Sequence, residues 1–188
     1  MAIITLADLR AHINISGTAT DVQLQFFINA AQGAIETYTR RVFDASGTAT
    51  RYYPDDPYTF SGQRLYLDSE LLSVSELVNG NGGTIPADSY TLLPRNDPPY
   101  SIIELKTNEY WNWNTDGEVA VTGVWGYSAT PPYAIQEACR ELAAYYDKLK
   151  DVSTFDVAGP PEGPQMTVPR GMPKNVIDLI QPYRRRSR

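Results

Sequence analysis

The chain has 188 residues, of which 42% are hydrophobic and 20% charged, which is the composition of a globular protein. No apolar run approaches the ~20 residues that a membrane-spanning helix needs. The single cysteine excludes an internal disulfide, and the single histidine argues against zinc or non-haem iron sites, which usually need several His or Cys ligands.

The net charge of −6 is unevenly distributed along the sequence. The last five residues, RRRSR, contain four of the 16 basic residues. The remainder has twelve basic and 22 acidic residues, a net charge of −10. Because affinity for duplex DNA depends on neutralising phosphates, this acidic body argues against a surface that grips DNA. The basic tail is either solvated or docks on an acidic partner or a nucleic acid.

The first part of the chain carries two helical patterns. Residues 5–14 have apolar side chains at helical spacing, and Thr5 with Asp8 forms a variant of the capping box. Residues 21–41 predict a longer amphipathic helix, with Thr20 and Asp21 placed to cap its start and Arg40 and Arg41 suited to its carboxyl end. Its apolar stripe consists of Leu24, Phe27, Ile28, Ala31, Ile35 and Tyr38.

Between residues 43 and 130 the apolar period changes from that of a helix to that of a strand. The predicted strands are Thr50–Tyr53, Arg64–Leu67, Ser73–Val78, Tyr90–Leu93, Ile102–Lys106 and Glu118–Tyr127. Asp116–Gly117 predicts a tight hairpin turn between the WNWN segment and the last strand. Many short strands in sequence indicate a small antiparallel sandwich or barrel.

The last third of the chain returns to helical periodicity. In residues 133–151 the apolar residues have a spacing similar to that in the helix predicted at residues 21–41. These two helices are therefore expected to pack together. Asp151–Met172 ends in Pro and Gly and predicts an extended arm. Pro173 opens a short helix that Pro182 stops.

Together these elements predict an α+β fold. Residues 1–43 and 131–150 form a small helical bundle, and residues 44–130 form an inserted antiparallel β-sandwich or barrel-like domain. Residues 151–188 form a C-terminal arm that ends in a short helix and a basic tail. The ends of the insertion are expected to lie close together.

The sequence offers weak candidates for catalysis. His12 has polar neighbours and no nearby nucleophile, and Cys139 falls on an apolar helix face, so both are interpreted as structural. The NGNGGT segment at 79–84 lacks the lysine of a phosphate-binding loop and predicts a hairpin loop. The paired carboxylates are interpreted as turn or strand-edge acids; they are Asp55 with Asp56 and Asp68 with Glu70. We therefore expect no enzyme activity, cofactor or metal.

Trp111 and Trp113 are two residues apart and point to one face if they lie on a strand. With the neighbouring asparagines they could form a sugar-stacking platform. The favoured interpretation is packing across the hairpin against Trp125 or Tyr127, or against another subunit.

The helical segments resemble the head–tail connector (adaptor) proteins of long-tailed bacteriophages. The resemblance rests on LADLRAHINI, DVQLQFFINAAQGAIETYTRR and YAIQEACRELAAYYDKLKD, and covers residues 3–43 and 133–151. Its core pattern is formed by Ala30, Ala31, Ile35, Glu36, Tyr38, Thr39 and Arg41. Many relatives have an acidic pair before the long helix, where this chain has Thr20–Asp21.

This resemblance implies a non-enzymatic virion protein at the head–tail junction, assembled in the cytoplasm of a bacterial host. Relatives form a homo-oligomeric ring, usually of twelve subunits, beneath the portal protein. The ring extends the DNA channel and receives the next neck (stopper) protein or a tail-completion protein. DNA passes through the lumen without specific binding, and neither a membrane nor a cofactor is implied.

The resemblance also assigns candidate contact residues. The C-terminal helix and tail of relatives reach the portal, which here implies Ile177, Ile180, Tyr183, Arg184, Arg185, Arg186 and Arg188. Deletion of Val176–Arg188 is then expected to leave the body folded but to block tail attachment.

The polar face of the long helix is a candidate subunit interface, because neutral amides pair without a large desolvation cost. Its residues are Gln25, Asn29, Gln32 and Glu36. Two alternatives remain open at this point. One is a carbohydrate- or ligand-binding module that uses the Trp-rich β insertion, and the other is a small enzyme with an unrecognised site.

Overall fold

The computed structural model describes residues 2–45, 47–114, 117–149, 157–158, 166–167 and 171–185. Its helices are α1 (Leu6–Ile13), α2 (Asp21–Thr39), α3 (Tyr133–Leu149) and α4 (Lys174–Ile180), the last followed by a 3-10 turn at Gln181–Tyr183. The strands are β1 (Thr48–Tyr53), β2 (Phe60–Ser61), β3 (Arg64–Val78), β4 (Tyr90–Leu93), β5 (Tyr100–Leu105), β6 (Val119–Trp125), β7 (Val157–Ala158) and β8 (Met166–Thr167).

The chain divides into two compact units. The β unit contains residues 41–130, and the helical unit contains residues 2–40 together with residues 131–188. The predicted α+β class is confirmed. The division into a helical bundle (1–43 and 131–150), a β insertion (44–130) and a C-terminal arm (151–188) stays a prediction. Helix α4, which belongs to the predicted arm, falls in the helical unit.

In the helical unit, α3 packs against each of the other three helices. The stripes of α2 and α3 supply most of the core, because apolar residues three and four apart share one helix face. The fully buried residues on these helices include Leu24, Ile28, Ala31, Ile35, Ile135, Ala138, Cys139 and Leu142. Val176 and Ile180 add the buried face of α4.

The two predicted helix caps differ in outcome. The capping box of α1 is confirmed, since the Asp8 N–H donates to Thr5 Oγ1 at 3.2 Å and the Thr5 N–H donates to Asp8 Oδ2 at 2.9 Å. The cap predicted for α2 was wrong, because the Thr20 side chain makes no capping hydrogen bond. The neighbouring Asp21 carboxylate accepts a hydrogen bond from the Arg10 guanidinium.

The β unit contains one six-stranded antiparallel sheet of order β1-β6-β3-β5-β4, with β2 paired to β3. Strand β3 joins the two strands predicted at 64–67 and 73–78. Its first half pairs with β5 and its second half with β6, with register shifts where the partners change. Such irregularities bend a strand. All the strands of this sheet except β4, whose side chains are half-buried, contribute buried side chains to one hydrophobic core.

Strand β6 has the predicted alternation, with Val119, Val121 and Trp125 buried on one face. The hairpin predicted before it was wrong, because residues 110–114 are not a strand. Asp116 of the predicted turn lies outside the described residues. Most of the predicted arm at 151–172 also lies outside them, while β7 and β8 pair antiparallel.

Candidate docking surfaces

Helix α4 is anchored to the helical unit. Val176 and Ile180 are fully buried, and the Asn175 side chain donates a hydrogen bond to the Glu141 carboxylate on α3. Ile177 and Tyr183 are half-buried, so each keeps part of its surface accessible. Ile180 was assigned to portal contact from the sequence, and its burial in this conformation makes it a core residue instead.

The chain that follows α4 lies against the carboxyl end of α2. The Arg185 N–H donates to the Thr39 carbonyl at 2.8 Å, and the Arg184 guanidinium lies 5.6 Å above the centre of the Tyr38 ring. Arg40, exposed and left-handed at φ 56°, ends the same helix. Cations suit this position, because the carboxyl end of a helix carries partial negative charge.

We name Arg40, Arg184 and Arg185 the basic corner. Arg186 and Arg188, assigned to the same contact from the sequence, lie outside the described residues. Arg40 was predicted to suit the end of α2 and was not assigned to this contact, because only the fold brings it beside the C-terminal arginines.

Polar side chains one turn apart on α2 form hydrogen bonds with each other. Gln25 Nε2 donates to Asn29 Oδ1 at 3.0 Å, and Gln32 Nε2 donates to Glu36 Oε1 at 3.1 Å. Gln32 Oε1 also accepts the Ile3 N–H at 3.2 Å and so ties the amino-terminal segment to α2. The role of these four residues in a subunit interface stays a prediction.

An apolar surface lies near the amino-terminal end of α2. Val22 is 89% exposed and Phe26 is 67% exposed. Beside them is a groove of about 370 Å³, which we name the apolar groove. It is lined by Phe26, Phe27, Ala30, Tyr146 and Leu149. The sequence analysis missed this surface, although Val22 and Phe26 lie one turn apart and off the buried stripe, a spacing that signals a second apolar strip.

The residues considered for catalysis have structural surroundings. Burial raises the pKa of Cys139 to about 12, which suppresses its thiolate. His12 lies on the exposed side of α1. Within the described ranges, no group of three or more His, Cys, Asp and Glu side chains could hold a metal ion.

The carboxylates of β3 are engaged within the sheet. Glu70 lies 2.9 Å from the Arg41 guanidinium. Asp68 lies 2.9 Å from Arg51 and accepts the Tyr53 hydroxyl at 2.7 Å. The pKa of Tyr53 is raised, first by burial and then by this bond to Asp68. These contacts favour a structural role for both acids.

Trp111 and Trp113 pack on Phe60 and do not form an open platform. Their ring centres lie 5.3 and 5.0 Å from that of Phe60, both edge to face. Trp111 is only 7% exposed. A Cβ on Gly80 would lie 2.4 Å from the Trp113 ring, so this loop needs glycine there. Packing was the favoured interpretation, and the ring partner that the structure shows for both tryptophans is Phe60.

The loop at residues 79–84 holds the tryptophan segment. Asn79 Oδ1 accepts the N–H groups of Gly80 at 3.0 Å and Asn112 at 2.9 Å, and Asn79 Nδ2 donates to the Tyr110 carbonyl at 2.9 Å. An antiparallel bridge between Val78 and Thr84 closes the loop. The predicted hairpin loop is therefore confirmed.

Among the helices built from described residues, none has the length and apolar character needed to cross a membrane. Residues 3–78 match the family of phage gp6-like head-tail connector proteins. No curated protein matches the chain.

Chains from a gene transfer agent (GTA) share the fold. One, from the neck of an empty particle computed with C6 symmetry, has 22% identity and a TM-score of 0.67, covering 97% of this chain and 89% of that chain. A second, from the neck of a native particle computed with C12 symmetry, has 21% identity and a TM-score of 0.64, with coverages of 95% and 87%. A third, from the native virion, has 23% identity and a TM-score of 0.64, with coverages of 97% and 89%.

At such identities the likeness to the GTA chains establishes a common fold. The family match covers α1, α2 and the first three strands, which include the motif that ends at Arg41. The resemblance to head–tail connector proteins is thereby confirmed: residues 3–78 carry the gp6-like connector pattern, and the chain has the fold of a neck protein from a phage-like particle.

Proposed function

We propose that this protein is a structural neck protein, a head–tail connector of a tailed phage or phage-like particle. The match of residues 3–78 to the gp6-like connector family carries the proposal. The fold shared with GTA neck chains over 97% of this chain supports it. The proposed role is non-enzymatic and requires neither a metal nor a cofactor.

The protein acts as a homo-oligomeric ring beneath the portal, where it extends the DNA channel. The C6 and C12 symmetry used for necks that contain the similar chains supports a ring. The acidic balance of the chain, at net −6, suits a passage through which DNA slides without being held. The other end of the ring receives the next neck protein or the tail.

The basic corner is the contact to the portal. Arg40 and Arg184 are exposed at the carboxyl end of α2, and the backbone bond from Arg185 to Thr39 fixes where the tail leaves the body. Ile177 and Tyr183 offer partly exposed apolar surface on the same segment. This combination fits an acidic partner surface with an apolar centre, because charges steer association while apolar area supplies affinity.

The test uses purified portal rings and the full chain. The wild-type chain is expected to bind the portal and form a ring on it, and Arg184→Glu is expected to weaken binding at least tenfold at low salt. Arg95→Glu is the matched control, because Arg95 is an exposed arginine of the β unit and its reversal changes the net charge equally. Equal binding by both variants would contradict the assigned contact, and no binding by the wild-type chain would contradict the function.

The alternative of a carbohydrate- or ligand-binding module finds no support in the site geometry. Its stacking platform requires an exposed face on Trp111, and that side chain is packed against Phe60. We therefore propose no second function.

A further inference from the structure

We infer that the apolar groove of one copy receives the amino-terminal end of α3 from a neighbouring copy, with Tyr133 as the inserted side chain. The inference rests on the proposed ring and names the surface by which its subunits meet. This contact is apolar, unlike the candidate interface on the polar face of α2. Its residues were not assigned to any subunit interface from the sequence.

The groove offers an uncharged surface. Its five lining residues are aromatic or aliphatic, and Phe26 at its rim is 67% exposed. Val22, one turn earlier on α2, extends the apolar surface at 89% exposure. Copies of a chain with net charge −6 repel one another, so contact between them is favoured where neither surface is charged.

The inserted element protrudes and is rigidly held. Tyr133 is the first residue of α3 and is 88% exposed. Behind it, Gln136 Nε2 donates to the Pro131 carbonyl at 2.7 Å, and the N–H groups of Ile135 and Gln136 donate to the Pro132 carbonyl at 2.9 and 3.0 Å. A tyrosine on a fixed helix end loses little conformational entropy on binding, so it suits an interface anchor.

The groove and the tyrosine lie at opposite ends of α3. Tyr133 lies at the start of α3, whereas Tyr146 and Leu149 of the groove lie at its end. From Tyr133 to Tyr146 the helix rises about 20 Å, so the tyrosine cannot fill the groove of its own copy. Each copy then presents one protrusion and one groove. Two copies that exchange both contacts would form a closed dimer, whereas head-to-tail contacts continue until a ring closes, and the proposed ring requires the head-to-tail arrangement.

Cross-linking tests the contact without altering Phe26 or Tyr133. Val22→Cys places a thiol at the groove, and Glu137→Cys places one a turn after Tyr133. The native Cys139 is buried and does not interfere. With a short bis-maleimide under ring-forming conditions, the chain with both cysteines is expected to give a ladder up to the full ring. An equimolar mixture of the two single-cysteine chains is expected to give dimers only, and each alone no product.

Two further variants make the test specific. Thr37→Cys replaces Val22→Cys as a matched control, because Thr37 is an exposed residue of the same helix far from the groove, and no product is expected. Adding Phe26→Glu to the chain with both cysteines is expected to abolish the ladder.

Rings that form without cross-linking between positions 22 and 137 would overturn the inferred contact and leave the proposed function standing. Dimers from Val22→Cys alone would overturn it too, because grooves would then face each other. If the wild-type chain forms no ring even on the portal, both the proposed function and the inferred contact are wrong.

Discussion

Arg41 and Glu70 form the most enclosed ion pair among the described residues. Their side chains are 20% and 5% exposed, the guanidinium and carboxylate are 2.9 Å apart, and the Arg41 guanidinium lies 5.0 Å over the Tyr127 ring. The Glu70 carbonyl also accepts the Gly126 N–H at 2.9 Å. The sequence marked Arg41 as part of a motif and Glu70 as a strand-edge acid, but no local pattern could pair residues so far apart.

Glu70→Ala is expected to lower the free energy of unfolding by about 3–5 kcal/mol, because it leaves Arg41 as an enclosed charge without its partner. Urea unfolding followed by tryptophan fluorescence measures the change. Glu104→Ala is the control, since its partner Arg64 is half exposed and little change is expected there. Equal effects of the two substitutions would contradict a buried role for the Arg41–Glu70 pair.

The buried thiol of Cys139 is expected to make the free energy of unfolding depend on pH in the alkaline range. In the unfolded chain this thiol loses its proton near its ordinary pKa of 9.0, whereas burial raises the folded pKa to about 12. Between these values the unfolded state binds fewer protons, so the free energy of unfolding falls as pH rises, by at most about 1.4 kcal/mol per pH unit. Below pH 9 this contribution is fully present.

The check is urea unfolding of the wild-type chain and Cys139→Ala between pH 8 and 11. The variant is expected to be less stable at pH 8, because it leaves a small cavity, but to lose less stability as the pH rises. Parallel curves for both chains would show that the thiol does not titrate on unfolding.

The spacing of apolar residues predicted where the helices lie better than it predicted how they are capped. Most residues of the α2 and α3 stripes are buried as expected, because a helix in a small domain must cover one apolar face. Phe27, Tyr146 and Leu149 are half-buried and line the apolar groove instead. The cap at Thr20 failed, since a residue type that favours capping does not fix the side-chain direction. The two strands predicted within β3 are one, because a bulged strand interrupts the period of two while its hydrogen bonding continues.

Thr5 and Thr20, which precede α1 and α2, allow a matched comparison of helix capping. Thr5→Ala is expected to destabilise the helical unit by about 1 kcal/mol, because it removes the side-chain acceptor for the Asp8 N–H. Thr20→Ala is expected to change stability by much less, since Thr20 makes no capping bond. Thermal unfolding followed by circular dichroism at 222 nm compares them, and a larger loss for Thr20→Ala would contradict the observed capping.

The Asn79 side chain joins the loop at residues 79–84 to the tryptophan segment. Asn79→Ala is expected to destabilise the β unit by about 1–3 kcal/mol, because it leaves the N–H groups of Gly80 and Asn112 without their acceptor. Asn81→Ala is the control, since Asn81 is exposed and its side chain bonds within the loop to Gly83. Urea unfolding by tryptophan fluorescence measures both, and equal stability of the two variants would contradict this role of Asn79.

At the scale of the whole molecule, the fold class and the connector resemblance were predictable, because both depend on patterns that extend over many residues. The packing of α4 was not, since a short apolar stripe looks the same whether it covers its own core or a partner. The apolar groove was also missed, because its residues come from two helices far apart in sequence.

This packing changes the expectation for the C-terminal deletion. Removing Val176–Arg188 exposes the surface of α3 that Val176 and Ile180 cover, so we now expect it to destabilise the helical unit. Removing residues 184–188 keeps those contacts and loses only the Arg185–Thr39 bond and the Arg184–Tyr38 contact, so we expect a much smaller loss of stability together with weakened portal binding. Calorimetry and a portal binding assay separate the two truncations, and normal portal binding by the shorter truncation would contradict the basic corner.

We propose that this chain is a ring-forming connector between portal and tail. Electron microscopy of the purified full chain, with and without isolated portal rings, is the decisive measurement. In the mixture with the portal we expect an added ring, built from copies of this chain and coaxial with the portal channel. Portal rings that remain bare at saturating concentrations of the folded chain would contradict it.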